Sequence, residues 1–230
     1  MAAPRPRNGA HADEHPASAA VRFLAERGYD AVTAGELADA IGMSRSTFFR
    51  RFGSKDDVVF ADHDLALRQL DEVLEAGGRD VPDALTRATA GVLQILTRDP
   101  ATAKLRSDLL RHTPALRERE LVITHRYERV IEAYLSRVAG PETPRWVPIA
   151  LAAGVVAVHN ATLRRWLRET DPRLLGALDQ DLRQLADRFA PWFGGGERGG
   201  GRVVVAAFEA DATPEEVLRA VTAFREGSER

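Results

Sequence analysis

Met43-Ser-Arg-Ser-Thr-Phe-Phe-Arg-Arg-Phe-Gly-Ser-Lys55 carries four cations and no acid, in a chain that elsewhere mixes its charges freely. The stretch before it, Thr33-Ala-Gly-Glu-Leu-Ala-Asp-Ala-Ile-Gly42, reads as a short helix. Thr33 and Glu36 are spaced as a capping box, in which each side chain satisfies a free N–H at the helix start. Leu37, Ala38 and Ile41 face inward. Gly42 permits the backbone reversal that follows, and Ser44 caps the next helix. In that helix Phe48 and Phe52 lie four residues apart and share its core side. Ser54 opens a further helix, with Asp56 and Asp57 placed where the positive end of the helix dipole favours them. A capped helix, a glycine turn and a basic helix that begins with small polar residues form the arrangement a DNA major groove accepts.

The residue types along the basic helix sort by role. Arg45, Ser46 and Thr47 are its exposed start. An arginine there can fork onto guanine O6 and N7, and a threonine offers a hydroxyl, or a methyl to thymine. Arg50 and Arg51 lie on the outward side, within reach of phosphates. Lys55 sits in the first turn of the following helix, where free N–H groups also attract anions. The competing reading is an amphipathic helix with solvated arginines. Lys55 and Lys104 are the only lysines among 32 cations, so a lone arginine says little and its position must speak for it.

Bulk properties narrow the function further. The net charge of −2 provides no global field toward nucleic acid or anionic lipid, so any DNA contact must come from local asymmetry. A 230-residue chain that is 44% hydrophobic can bury a sizeable core. With no cysteine, disulfides and thiolate metal sites are excluded. The N-terminus lacks the apolar region of a secretory signal. The longest apolar run, Val147 to Val158, is shorter than the ~20 residues of a membrane span. A soluble, cytoplasmic protein is expected.

Four segments are expected along the chain. Residues 1–12 form a flexible arm, 13–60 the helix-turn-helix domain, 61–193 a second, helical domain, and 194–230 a glycine-rich linker with a strand-helix tail. The first helix is expected from Pro16 to Arg27, with Gly28 at its end. A helix from Ser54 is expected to run unbroken to Ala76. Leu85, Ala88, Val92 and Ile95 stripe another. Further helices cover 101–111 and the long stretch holding Ile123, Tyr127, Ile131 and Tyr134. The helix expected over 144–168 carries Ala150, Ala153, Gly154 and Ala157, which are small enough for close helix contact. In the last helix Leu175, Leu178, Leu182, Leu185 and Phe189 recur three and four apart, a seam suited to another helix. Six glycines in 194–201 make the linker, and Val203 to Phe208 reads as a strand. The fold class is all-α apart from that tail.

The run Gly28-Tyr29-Asp-Ala-Val-Thr33, then Leu37-Ala38, Gly42-Met-Ser44, Thr47-Phe48-Phe49-Arg-Arg-Phe52 and Ser54-Lys55 resembles the DNA-binding domain of the TetR family of bacterial repressors. The resemblance covers about residues 16–60. It implies a homodimer on a palindromic, double-stranded operator, released when a small-molecule effector binds the helical domain. By position, Arg45, Ser46 and Thr47 fall where relatives read bases, and Thr33, Arg51 and Lys55 where they touch the backbone. Phe49 stands where many relatives have tyrosine, so a phosphate hydrogen bond is lost at that backbone position and Arg50 or Arg51 must compensate. Gly35 replaces a long reader found in some relatives, so base readout should rest on the basic helix.

The effector pocket is expected among the middle helices, with Leu67, Leu70, Val92, Leu96, Leu109, Tyr127, Ile131 and Trp166 as candidate linings. Plain core packing is the competing reading for each. The last two helices are expected to pack against their twins. His63, His112, His125 and His159 are scattered and form no metal-ligating pair, so no metal and no cofactor is expected. No nucleophile motif or phosphate loop appears, which argues against an enzyme. The rival functional reading is a helical ligand-binding or scaffold protein without sequence-specific DNA binding.

Overall fold

The computed structural model describes residues 15–171 and 173–193, with the side chain of Leu175 outside that description. The expected arm and the expected strand-helix tail also lie outside the described residues. Contacts divide the chain once, into 1–193 and 194–230. The described residues form an all-α structure without a strand.

Three short helices make the N-terminal part: α1 (Pro16–Arg27), α2 (Ala34–Ala40) and α3 (Arg45–Phe52). Their boundaries follow from local chemistry. α1 starts at a proline, whose missing N–H would be unpaired there anyway. Gly28 ends it with φ 86°, donating its N–H to Leu24. α2 has the full Thr33–Glu36 capping box. Gly42 takes φ 70°, a region that costs a residue with a Cβ. Ser44 then accepts the Thr47 N–H and opens α3. Leu24, Leu37, Ala38 and Phe48 are fully buried and form the core of this part.

The chain continues through α4 (Lys55–Val59), α5 (Ala61–Ala76), α6 (Val81–Thr97), α7 (Pro100–His112), α8 (Pro114–Val138), α9 (Trp146–Glu169) and α10 (Leu174–Phe193). α5 packs on α6 and α8, α8 on α9, and α10 on both α6 and α9. α1 packs on α7, which ties the N-terminal helices to the rest. At the α5–α6 turn Gly77 lies so close to Ala84 that an added Cβ would come within 2.6 Å of it.

The expected continuous helix over 54–76 is broken at Phe60, where φ is −105° and ψ is 13°. A residue distant in sequence takes up the freed carbonyl. In an unbroken helix the Val59 carbonyl would accept the His63 N–H. Instead Arg106 Nε donates to Val59 O at 2.8 Å, and the His63 N–H goes to Phe60 O at 2.9 Å. The helix expected from Pro144 begins two residues later, at Trp146.

α9 is long and apolar enough to cross a membrane by length and composition, but 44% of that window is buried inside the protein. Its apolarity serves two helix faces: Val147, Leu151, Val155 and Val156 are buried in the core, while Ala150, Ala153 and Ala157 are exposed.

Candidate nucleic-acid interface and ligand chamber

At the start of α3 the Ser44 hydroxyl donates to Thr47 Oγ1 at 2.8 Å and lies 3.1 Å from Ser46 Oγ. Arg45 and Ser46 are exposed, and Thr47 is half-buried. Among the described residues Arg45 makes no ion pair. It lies across Gly35 of α2, where an added Cβ would stand 3.8 Å from the guanidinium carbon. Phe48 is fully buried, with Phe49 at its edge, ring centroids 5.7 Å apart. That anchor turns Phe49, Arg50 and Arg51 to the surface, and Phe49 is 42% exposed. The Arg51 guanidinium lies over the Phe52 ring. The exposed face of α3 therefore offers arginines at its start and end and no acid.

Two of the expected backbone contacts also hold the domain together. The Thr33 backbone N–H at 2.8 Å and its hydroxyl at 2.7 Å both donate to Glu36 inside the capping box, and in that order they draw the Glu36 carboxyl below its ordinary value. Lys55 Nζ donates to Tyr29 O at 2.7 Å and Val32 O at 2.9 Å, and it sits 3.9 Å from the Tyr29 ring centroid. Two of its three N–H groups thus clamp the α1–α2 loop to α4, a role not foreseen from sequence. Tyr29 in turn donates to Asp56, and burial raises its phenol well above the usual range, with Asp56 adding to the effect.

Behind this domain, α5 to α9 and the α4–α5 junction enclose a chamber of about 440 Å³. Leu70, Val92, Leu96, Tyr127 and Ile131, five of the expected linings, are on its wall. Leu67, Leu109 and Trp166 are not: Leu67 and Leu109 are buried in the main core, and Trp166 packs with Ala103 and Leu174 in a separate small cluster. Phe60 and Arg106 line the chamber as well. α9, expected to meet a twin and to give the pocket only Trp166, supplies Val155, Val156, His159, Asn160 and Leu163. The polar pair His159-Asn160 inside an apolar helix was the available signal for this.

The chamber has a sign. Lys104, Arg106, Arg111, Arg117, Arg164 and Arg168 line it against Asp108 and Glu120. Arg111 pairs with Asp108. Burial raises the Glu120 carboxyl, which the nearby Arg164 opposes. Arg106 is buried inside, while the other cations are exposed at the mouth. The interior histidines are neutral. Burial, with Arg106 adding, pushes His63 down to about 3, and its Nδ1 lies 3.1 Å from the Tyr127 hydroxyl. Burial pushes His159 down to about 4 against the opposing bond to Asn160, and its Nε2 is buried without a partner. His112 and His125 are exposed. Among the described residues no group of three or more potential ligands could hold a metal ion.

The expected interface residues separate into two sets. Ala150, Ala153 and Ala157 form an exposed stripe on α9, extended by exposed Trp146 and Ile149. Gly154 is half-buried against Leu185 of α10. Leu178 and Leu182 are fully buried within the single chain, so the reading of them as an interface seam is corrected: they face the protomer core, where α10 packs on α6 and α9. Leu185 and Phe189 are half-buried.

Two family models match this chain. One, for bacterial regulatory proteins of the tetR family, covers residues 17–61, and the other, for the MftR C-terminal domain, covers 79–190. MftR of Mycobacterium tuberculosis (strain ATCC 25618 / H37Rv), named for regulating transcription in mycofactocin biosynthesis, is 25% identical over 166 residues, 71% of this chain and 84% of that one. Among solved structures, the transcriptional regulator FadR of Bacillus subtilis in complex with stearoyl-CoA is similar at 16% identity and TM-score 0.53, over 74% of this chain and 95% of that one. A TetR-family regulator from Rhodococcus sp. is similar at 18% identity and TM-score 0.51, over 76% and 96%. At such identities the structural likeness speaks for the fold alone.

Proposed function

We propose, on the premise that the chain belongs to the TetR family of bacterial transcriptional regulators, that it is a homodimeric, cytoplasmic repressor released from a palindromic operator by a small-molecule effector. One observation carries this reading: Phe48 is wholly buried while Arg45 and Ser46 project from the start of α3, with no ion pair among the described residues. A buried anchor with an exposed, polar, forked start is what base readout in a major groove requires. Thr47 joins them with its methyl, its hydroxyl being held by Ser44. In this reading Thr33, Phe49, Arg50, Arg51 and Lys55 meet the DNA backbone.

The effector reading rests on the chamber. Its wall mixes apolar side chains with a few polar anchors, as ligand sites do. The surplus of cations at its mouth favours an amphipathic anion. Stearoyl-CoA, the ligand in the FadR complex, has that chemistry. The exposed Ala150–Ala157 stripe of α9 supports pairing with a second copy.

Selection of binding sites from random duplex DNA tests the reading, followed by affinity measurements on the selected site. A palindromic site is expected, and Arg45→Ala should relax preference at one base pair of each half-site by roughly 1–3 kcal/mol. Indifference of the purified protein to DNA sequence at low salt would remove it.

A further inference from the structure

Arg106 joins two places that a repressor must connect. Its side chain is part of the chamber wall, yet its Nε holds the Val59 carbonyl at 2.8 Å and its Nη2 holds Asp62 at 2.8 Å. Val59 is the last residue of α4, the helix that carries Lys55 and its clamp on the α1–α2 loop. Phe60, the break itself, is chamber wall too. The Val59 carbonyl therefore has two possible donors: Arg106, or the His63 N–H that an unbroken helix would bring to it. These are two discrete arrangements of one short segment, which is what transmission between sites requires.

We propose that Arg106 is the residue through which the chamber governs the DNA-binding helices. An anionic ligand group draws the guanidinium off Val59 and Asp62, and α4 and α5 then close into one helix, which re-aims α3. Charge makes the trigger selective. A buried guanidinium leaves a carboxylate and a carbonyl only for a partner that replaces both bonds, and an oxyanion does so where a neutral apolar group cannot. Asp62 tolerates the departure because Arg98 still holds it at 2.7 Å. This inference rests on the repressor reading for its consequence on DNA, but not for the switch itself.

The test uses the full chain labelled with ¹³C-phenylalanine, with the Phe60 signal assigned through Phe60→Leu. Arg106→Gln and Asp62→Asn are the variants. They alter opposite charges and should shift the junction the same way, so loss of folding in one leaves the other decisive. Both are expected to move the Phe60 Cα shift toward its helical value and to weaken operator binding by roughly 5- to 150-fold, the span of ordinary allosteric couplings. In the wild type 2-naphthoate, but not 2-naphthalenemethanol, should produce the same Phe60 shift, and Arg106→Gln should abolish that distinction. A Phe60 signal that ignores both variants, or that answers the acid and the alcohol alike, overturns the switch. A moved Phe60 signal with unchanged operator affinity overturns the transmission. Failure of the wild type to bind any selected DNA, with Phe60 still responding, would instead condemn the repressor reading.

Discussion

A single side chain can serve recognition and folding at once, and the two uses are separable by substitution. Lys55 donates to two backbone carbonyls and covers the Tyr29 ring, so its removal breaks two part-buried, charge-assisted hydrogen bonds. Lys55→Ala is expected to lower unfolding free energy by about 1–3 kcal/mol in denaturant titration and to weaken DNA binding evenly across sequences. Arg45 is exposed and has no ion pair among the described residues, so Arg45→Ala should leave stability within about 0.5 kcal/mol. Equal destabilisation by the two would contradict the division of labour drawn here. The buried histidines make a second residue-scale case. His63 and His159 titrate near 3 and 4 in the fold against 6.5 ordinarily. Between those values the unfolded chain binds more protons, so stability must rise with pH there. Acidification from pH 7 should therefore begin to destabilise the protein near pH 6.5, by up to about 1.4 kcal/mol per unit for each histidine. His159→Asn should flatten that slope relative to wild type in denaturant titrations at pH 7, 6 and 5. Parallel slopes in the two proteins would show that His159 is not held neutral.

At the scale of elements, helix ends were legible and helix interruptions were not. Thr33 with Glu36, Ser44, Ser54, Gly28 and Gly42 mark boundaries by bonds within four residues, and the observed caps fall on them except that Gly42 follows the Ile41 cap of α2 by one residue. At the break at Phe60 the freed Val59 carbonyl is taken by Arg106, 47 residues away, a contact that no local pattern encodes. The chamber divides the same way. Leu70, Val92, Leu96, Tyr127 and Ile131 sit on inward helical stripes, but stripe position cannot tell chamber wall from core, which is why Leu67, Leu109 and Trp166 were grouped with them. The α9 lining showed in the sequence only as His159-Asn160, a polar pair inside an apolar helix. Two glycines test the local part directly. Gly42, at φ 70° with open space around it, should lose about 1–2 kcal/mol as alanine from backbone strain alone. Gly35, within α2 and in ordinary contact range of Arg45, should gain up to about 1 kcal/mol as alanine from helix propensity. Thermal unfolding of the two variants should move in opposite directions; a shared sign would mean that the α2–α3 turn is not governed by its dihedral preferences.

For the whole molecule, charge decides how many copies must act. A net charge of −2 gives no long-range pull toward phosphate, so under the proposed repressor reading affinity would come from the few arginines around α3 and from two such faces used together. Half-sites about one DNA turn apart, ~34 Å, then demand a rigid pair. The exposed stripe Ala150, Ala153 and Ala157 is the surface where two α9 helices can approach closely, since small side chains let backbones near each other. Ala153→Glu puts like charges face to face across a two-fold interface while touching nothing in the protomer core. The variant should stay folded, run as a monomer in light scattering, and bind operator with a salt dependence about half as steep, because half the phosphates are neutralised. Leu178→Ala is the counter-experiment: buried within one chain, it should cost the protomer about 2–5 kcal/mol of stability. A dimer that survives Ala153→Glu intact would move the interface off α9, and an operator affinity unchanged in a true monomer would end the argument that two recognition helices are needed.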